Sequence, residues 1–148
     1  MENNISTFKD NRGLFIPYNL KGWDQMNIST NKNKFTFRGL HYQTEPYQTK
    51  LVKVIQGKVL DFLYDIESGS VEIYKLNPDN DLLITSNYAH GFLTLEPNTI
   101  FTYLVKGNYN SKTEHSIIWN TIPEIESVIN NTIKGNKLTI SEKDKMGK

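Results

Sequence analysis

Three histidines, a lysine that opens an apolar run and a loop tyrosine are the side chains in this 148-residue sequence best suited to moving protons. His41 stands in Phe37–Arg38–Gly39–Leu40–His41–Tyr42–Gln43, and His90 in Tyr88–Ala89–His90–Gly91–Phe92; His115 is the third. An imidazole titrates near neutrality, so it can give or take a proton at working pH. A lone histidine is also often a core residue satisfied by one hydrogen bond. Arg38 and Gly39 beside His41, and Gly91 beside His90, where a missing side chain permits close backbone approach, favour a functional reading. Lys50 begins Lys50–Leu51–Val52–Lys53–Val54–Ile55, and strand alternation puts Lys50, Val52 and Val54 on one face. Its ammonium therefore lies at the margin of a buried surface, with snorkelling to water as the plain alternative. Asp61 and Asp65 leave the apolar face of their strand, either to be solvated or to orient a histidine; Tyr109 follows Lys106–Gly107–Asn108 in a loop. The absence of cysteine excludes disulfides, cysteine-ligated zinc, iron–sulfur clusters and a thiol nucleophile. A metal site needs converging ligands, and neither His41 nor His90 has a histidine or aspartate two residues away. Metal is disfavoured on that ground.

The elements that must position these groups read as strands. Hydrophobic residues make up 37% of the chain, enough for one domain over residues 1–148. They fall in short β-branched and aromatic runs broken by Gly, Asn, Pro and Asp. Leu60, Phe62, Tyr64 and Ile66 alternate with Asp61, Leu63 and Asp65, and Phe101, Tyr103 and Val105 follow the same rule. Further strands are expected at Lys34–Tyr42, Lys50–Gln56, Ser70–Leu76, Leu82–Thr85 and Glu114–Trp119, and a short helix at Pro123–Asn130. This spacing predicts an all-β jelly roll with few short helices. The polar stretch Ser141–Lys148 has the composition of a frayed tail. A formal charge of +1, from 17 basic and 16 acidic residues, gives no broad footprint for nucleic acid or an anionic membrane. No run approaches the ~20 apolar residues of a spanning helix, and the start lacks a signal-peptide pattern. The expectation is a cytoplasmic protein.

Arg38–Gly39–Leu40–His41–Tyr42–Gln43, Pro46 and Gln48–Thr49–Lys50–Leu51–Val52 resemble the signature of the dTDP-4-dehydrorhamnose 3,5-epimerases. The order continues through Gly57–Asp61, Asp65, Ala89–His90–Gly91–Phe92, Tyr103, Tyr109, Glu114, Trp119–Asn120 and Ser141–Glu142–Lys143–Asp144. Upstream, Phe8–Phe15 and Gln25–Ser29 are similar to the family's entry segment. The resemblance implies a cupin-type double-stranded β-helix, normally a homodimer, with no cofactor and no metal. It implies a nucleotide-linked 4-keto-6-deoxyhexose as substrate, inverted at carbons next to the ketone. His41 would be the base, Lys50 and His90 would stabilise the enolate oxygen, and Tyr109 would return a proton to the opposite face. Asp144 would fix the histidine, which turns the apparent tail into a segment folded over the site; Asp65 is a second candidate carboxylate near that histidine. Arg12 and Arg38 would hold the diphosphate, while Phe15, Gln25, Asn27, Glu114 and Lys143 would contact nucleotide or sugar.

Departures from the family pattern bear on specificity. Pro17 replaces a glutamate that usually contacts the thymine, Ile28 replaces a histidine, and Glu67 an arginine; the chain is also shorter than the family commonly runs. CDP is thus an alternative to dTDP, and inversion at C3 alone an alternative to inversion at C3 and C5, with C3 favoured. Two other activities compete: a 3,4-ketoisomerase, which usually carries a further histidine where Tyr42–Gln43 stands, and a non-catalytic sugar-nucleotide-binding jelly roll. The pathway implied by the family is deoxysugar biosynthesis for a surface polysaccharide such as the O-antigen of lipopolysaccharide. One tension is internal to the sequence. Arg38 and His41 have opposite parity, so both reach one ligand only if the strand bulges near Gly39.

Overall fold

The computed structural model describes residues 2–3 and 8–147. Its strands are β1 (Glu2–Asn3), β2 (Phe8–Asp10), β3 (Gly13–Phe15), β4 (Gln25–Asn31), β5 (Phe37–Gln43), β6 (Thr49–Gln56), β7 (Val59–Asp65), β8 (Val71–Leu76), β9 (Asp81–Ile84), β10 (Tyr88–Thr94), β11 (Thr99–Lys106) and β12 (Glu114–Ser116). The helices are α1 (Pro123–Ile133) and α2 (Glu142–Met146). Two five-stranded antiparallel sheets, ordered β1-β9-β6-β11-β4 and β12-β5-β10-β7-β8, face each other as a jelly roll, and β2 and β3 form a separate hairpin. The all-β cupin-type fold agrees with the strand reading. No helix among the described residues is long and apolar enough to cross a membrane.

The space between the sheets is filled at one end by Val52, Val54, Val59, Leu63, Leu82, Phe92 and Phe101. The second sheet is covered on its other face too. There Phe37, Leu40, Phe62, Ala89 and Leu93 pack against Ile125, Ile129 and Ile133, the one-turn-apart apolar stripe of α1. This double burial leaves little of β7 and β10 exposed. It also reassigns the alternation in β7: the Leu60–Phe62–Tyr64–Ile66 face meets the α1 layer, while Val59, Asp61 and Leu63 share the parity that faces the other sheet.

Several boundaries move. The expected strand Glu114–Trp119 ends at Ser116, before a single 3-10 turn at Trp119–Thr121. The helix expected over Pro123–Asn130 runs on to Ile133, where Lys134 adopts the left-handed conformation that ends it. Ser141–Lys148 is no frayed tail as far as Gly147: Ser141 caps α2 by accepting from the Asp144 amide at 3.2 Å, and Asp144 is buried.

The parity conflict in β5 is resolved by one extra residue. His41 pairs with His90 and Arg38 with Phe92, so three steps along β5 match two along β10. The bulge lies at Gly39, whose φ is +123° and whose absent Cβ would stand 2.6 Å from Gly91 Cα and 2.7 Å from the His90 carbonyl. Phe37 and Leu40 consequently pack toward α1, while Arg38 and His41 both line the cleft between the sheets. A methyl group at residue 39 meets backbone on the facing strand and strains its own φ. Gly39→Ala is therefore expected to lower unfolding stability by more than about 2 kcal/mol in urea titration; a wild-type midpoint would mean that the two strands can part without cost.

Candidate active site

The two sheets splay apart beyond the apolar core and leave a cleft of two adjoining lobes, about 400 and 370 Å³, which share Asn27, His41, Lys50 and Tyr103. Gln25, Gln48, Tyr109 and Glu114 line the first lobe; Arg38, His90, Ser141, Lys143 and Asp144 line the second. Strand alternation aims most of these. On β4 the odd-numbered residues face inward, on β6 Lys50 follows Val52 and Val54, and on β11 Tyr103 follows Phe101.

His41 Nε2 lies 2.7 Å from Asp144 Oδ1, and the other Asp144 oxygen accepts from the Gly39 amide at 3.1 Å. Burial alone would raise the Asp144 carboxyl; the bond and charge of His41 and the Gly39 amide outweigh it and hold the carboxyl below its ordinary value. An ionised Asp144 can only accept, so the shared proton belongs to Nε2, and the neutral form of the ring then carries its lone pair on Nδ1. That is the state of a base.

A second pair lies deeper. His90 Nε2 is 2.7 Å from Asp61 Oδ2, and the His90 ring stacks on Phe101 with centroids 6.2 Å apart. Asp61 is wholly buried, which raises its carboxyl against the opposing pull of His90 and Lys50; its Oδ1 has no hydrogen-bond partner among the described residues. Desolvation likewise pushes the Lys50 ammonium down, partly offset by Asp61 and Glu114, and its Nζ sits 5.4 Å from the centre of the Tyr103 ring. Glu114 accepts from Lys143 Nζ at 2.7 Å, tying α2 to β12. Its burial would raise the carboxyl, yet Lys143 first, then the charge of His41 and the Tyr109 hydroxyl, hold it low.

The other sequence-derived candidates divide. Gln25 donates to Asn27 Oδ1 at 2.6 Å, and Arg38 Nε donates to Asn31 Oδ1 at 2.8 Å. Arg12 and Phe15 are not brought to the cleft. Both sit on the β2–β3 hairpin, Arg12 forked onto Asp10 with its side chain 87% exposed and Phe15 against Phe8 at 6.4 Å. Asp65 requires a correction: it lines neither lobe and is not the carboxylate at His41. It closes the turn after β7, accepting from the Glu67 and Ser68 amides at 2.9 and 3.1 Å, and the Ser68 amide foremost holds its carboxyl low. Asp61, left open between solvation and a histidine, takes His90 instead. Sequence reasoning passed over Asn31, Gln48 and Ser141. The polar residues Gln25, Asn27, Ser29 and Asn31, alternating with Met26 and Ile28, carry a signal for the first of these.

The fold and the cleft define a cupin-type jelly-roll protein whose cleft carries cationic side chains and carboxylate-paired histidines. The chain belongs to the dTDP-4-dehydrorhamnose 3,5-epimerase family, whose sequence model matches residues 2–148. A relative of that name from Neisseria gonorrhoeae is 37% identical over 129 residues, 76% of this chain but 39% of the relative, so the match spans about two fifths of that protein's length. The crystal structure of the Bacillus anthracis dTDP-4-dehydrorhamnose 3,5-epimerase with TDP and PPi bound superposes with a TM-score of 0.80 at 30% identity, covering 96% of this chain and 89% of that one. An epimerase from Legionella pneumophila in complex with dTDP-4-keto-L-rhamnose gives 0.77 at 27% identity, covering 95% and 81%.

The pH behaviour of the Asp144 pair follows from its sign. Its carboxyl is lower in the folded than in the unfolded chain, where it sits near 3.8. The contribution is therefore complete above the unfolded value and is lost as pH falls through the folded one. Asp144→Asn is expected to cost about 1–3 kcal/mol near neutrality. The difference from the unaltered protein should narrow in urea titrations as pH falls below the unfolded value of 3.8 and on through the lower folded one; a difference constant across that fall would mean that the carboxylate is not ionised in the pair.

Proposed function

We propose that the protein is an epimerase that inverts carbons next to the ketone of a nucleotide-linked 4-keto-6-deoxyhexose. The observation that carries this reading is one cleft holding a carboxylate-held imidazole, a desolvated lysine and a tyrosine hydroxyl. A C–H beside a carbonyl is weakly acidic, so its removal needs a placed base and stabilisation of the enolate oxygen. His41 takes the proton on Nδ1 while Asp144 holds Nε2. Lys50 and His90 set positive charge and a donor at the oxygen; their low-polarity surroundings strengthen both interactions. Tyr109 delivers a proton from the other face, and that opposition inverts the centre. Arg38 and Lys143 supply the cationic margin suited to a diphosphate.

The solved relatives bind TDP and a dTDP-sugar, which supports dTDP over CDP as the nucleotide. Their name denotes action at C3 and C5, so C5 joins the favoured C3 in the proposed reaction. The test is to incubate dTDP- and CDP-4-keto-6-deoxyglucose in D2O and follow the sugar protons by NMR. Label at C3 and C5 with inversion is expected. His41→Asn should slow exchange by about 100- to 10,000-fold, whereas Tyr109→Phe should retain exchange and lose inversion. Inversion surviving in His41→Asn would overturn the assigned base, and ketone migration without inversion would favour the ketoisomerase.

A homodimer is part of the same proposal. Strand β4 is polar toward the cleft and apolar outward: Met26 and Ile28 are 52% and 61% exposed and join Leu20 and Ile55 around an apolar depression of about 170 Å³ on the outer sheet face. A second copy seated there would remove this surface from water. Sedimentation should give a dimer, and Ile28→Glu a monomer; a monomeric unaltered protein at micromolar concentration would refute the assembly.

A further inference from the structure

Arg38 is held in an unusual way for a cleft arginine. Its Nε donates to Asn31 Oδ1 at 2.8 Å, and its Nη2 reaches only the Thr30 carbonyl, at 3.5 Å. None of the ion pairs among the described residues involves it. Arg12 makes the contrast: its fork is filled by Asp10, so its charge is already matched. Asn31 is 2% exposed and uses its whole amide, since its Nδ2 donates to the Thr99 carbonyl at 3.1 Å and to Ser29 Oγ at 3.3 Å. Those bonds fix the amide's orientation and leave its oxygen no choice but the guanidinium. β4 and β11 are paired through Asn31 and Thr99, so the holder belongs to rigid sheet.

We propose that Asn31 is the positioning residue for Arg38: a buried neutral amide fixes the guanidinium against the cleft and leaves its positive charge unmatched for a diphosphate. A carboxylate at residue 31 would hold the same nitrogen and cancel that charge. An apolar residue would leave the charge and free the long side chain to wander, at an entropic cost when the ligand binds. The amide does neither. The inference rests on the proposed nucleotide-sugar reading, in which Arg38 meets the diphosphate.

The experiment is calorimetric titration of dTDP and of inorganic pyrophosphate into the full chain, with thermal melting as a check on folding. Asn31→Ala is expected to weaken both ligands about tenfold, a loss characteristic of one charge-assisted contact set free. Asn31→Asp keeps the acceptor for Arg38 but turns an oxygen toward the Thr99 carbonyl, so it should melt lower; read below that melting point, it should weaken both ligands at least as much. In an Arg38→Met background neither change at residue 31 should alter affinity further, which a merely structural role would not produce. In turnover, Asn31→Ala should raise KM by a larger factor than it lowers kcat. Unaltered affinity in Asn31→Asp, or an equal loss in the Arg38→Met background, would overturn the assignment of Asn31 alone. An unaltered protein that binds neither dTDP nor pyrophosphate would overturn the functional reading, and this inference with it.

Discussion

The site depends on one extra residue in β5. Without the bulge at Gly39, alternation would send Arg38 and His41 to opposite faces, one into the cleft and the other into the layer under α1. With it, the same short segment supplies apolar side chains to the helix layer and an acid–base and cationic pair to the cleft. The close passage of Gly39 and Gly91 is the condition for this, since either side chain would push β5 from β10. The Gly39 amide also donates to Asp144, so the bulge helps to seat the carboxylate that holds His41. Geometry at one backbone position therefore governs three of the functional groups.

Burial then differentiates groups of like chemistry. Asp144 and Asp61 each face a histidine at 2.7 Å, yet Asp144 is held low and Asp61 is pushed up. The difference is depth. Asp144 lies in the first turn of a short helix and receives a backbone amide as well as an imidazole, whereas Asp61 is sealed between sheets with one oxygen unpartnered among the described residues. Lys50 shares that desolvated environment. A cation so placed gains more from a nearby developing negative charge than a solvated one would, because little water competes for the same interaction.

Much of this was legible in the chain. The alternating runs of β6, β7 and β11 gave strands because their apolar faces are buried between sheets or under α1, and the helix at Pro123 followed from its proline and its early acids. Strands β4 and β10 were harder. Their sequences, Gln25–Asn31 and Tyr88–Thr94, carry polar or small residues where a core strand carries β-branched ones, because the ligand cleft takes the place of core along them. The histidines, Lys50 and Tyr109 could be named from motif and spacing. Asp65 could not be separated from Asp61 in that way, since both share a parity and only the turn after β7 claims one of them. Asn31 shares the polar alternation of β4, but its bond to a guanidinium on another strand is not visible in that pattern.

His41 and Asp144 are separated by 103 positions along the chain, and between them run both sheets' central strands and the whole of α1. Closing a loop of that length carries an entropic cost that the intervening pairings reduce by shortening the effective loop. The imidazole thus has its partner in the assembled barrel and not in the open chain. A chain can own every side chain of the cleft and, without that closure, still present His41 with no fixed tautomer, so the state of the imidazole reports on the fold as a whole.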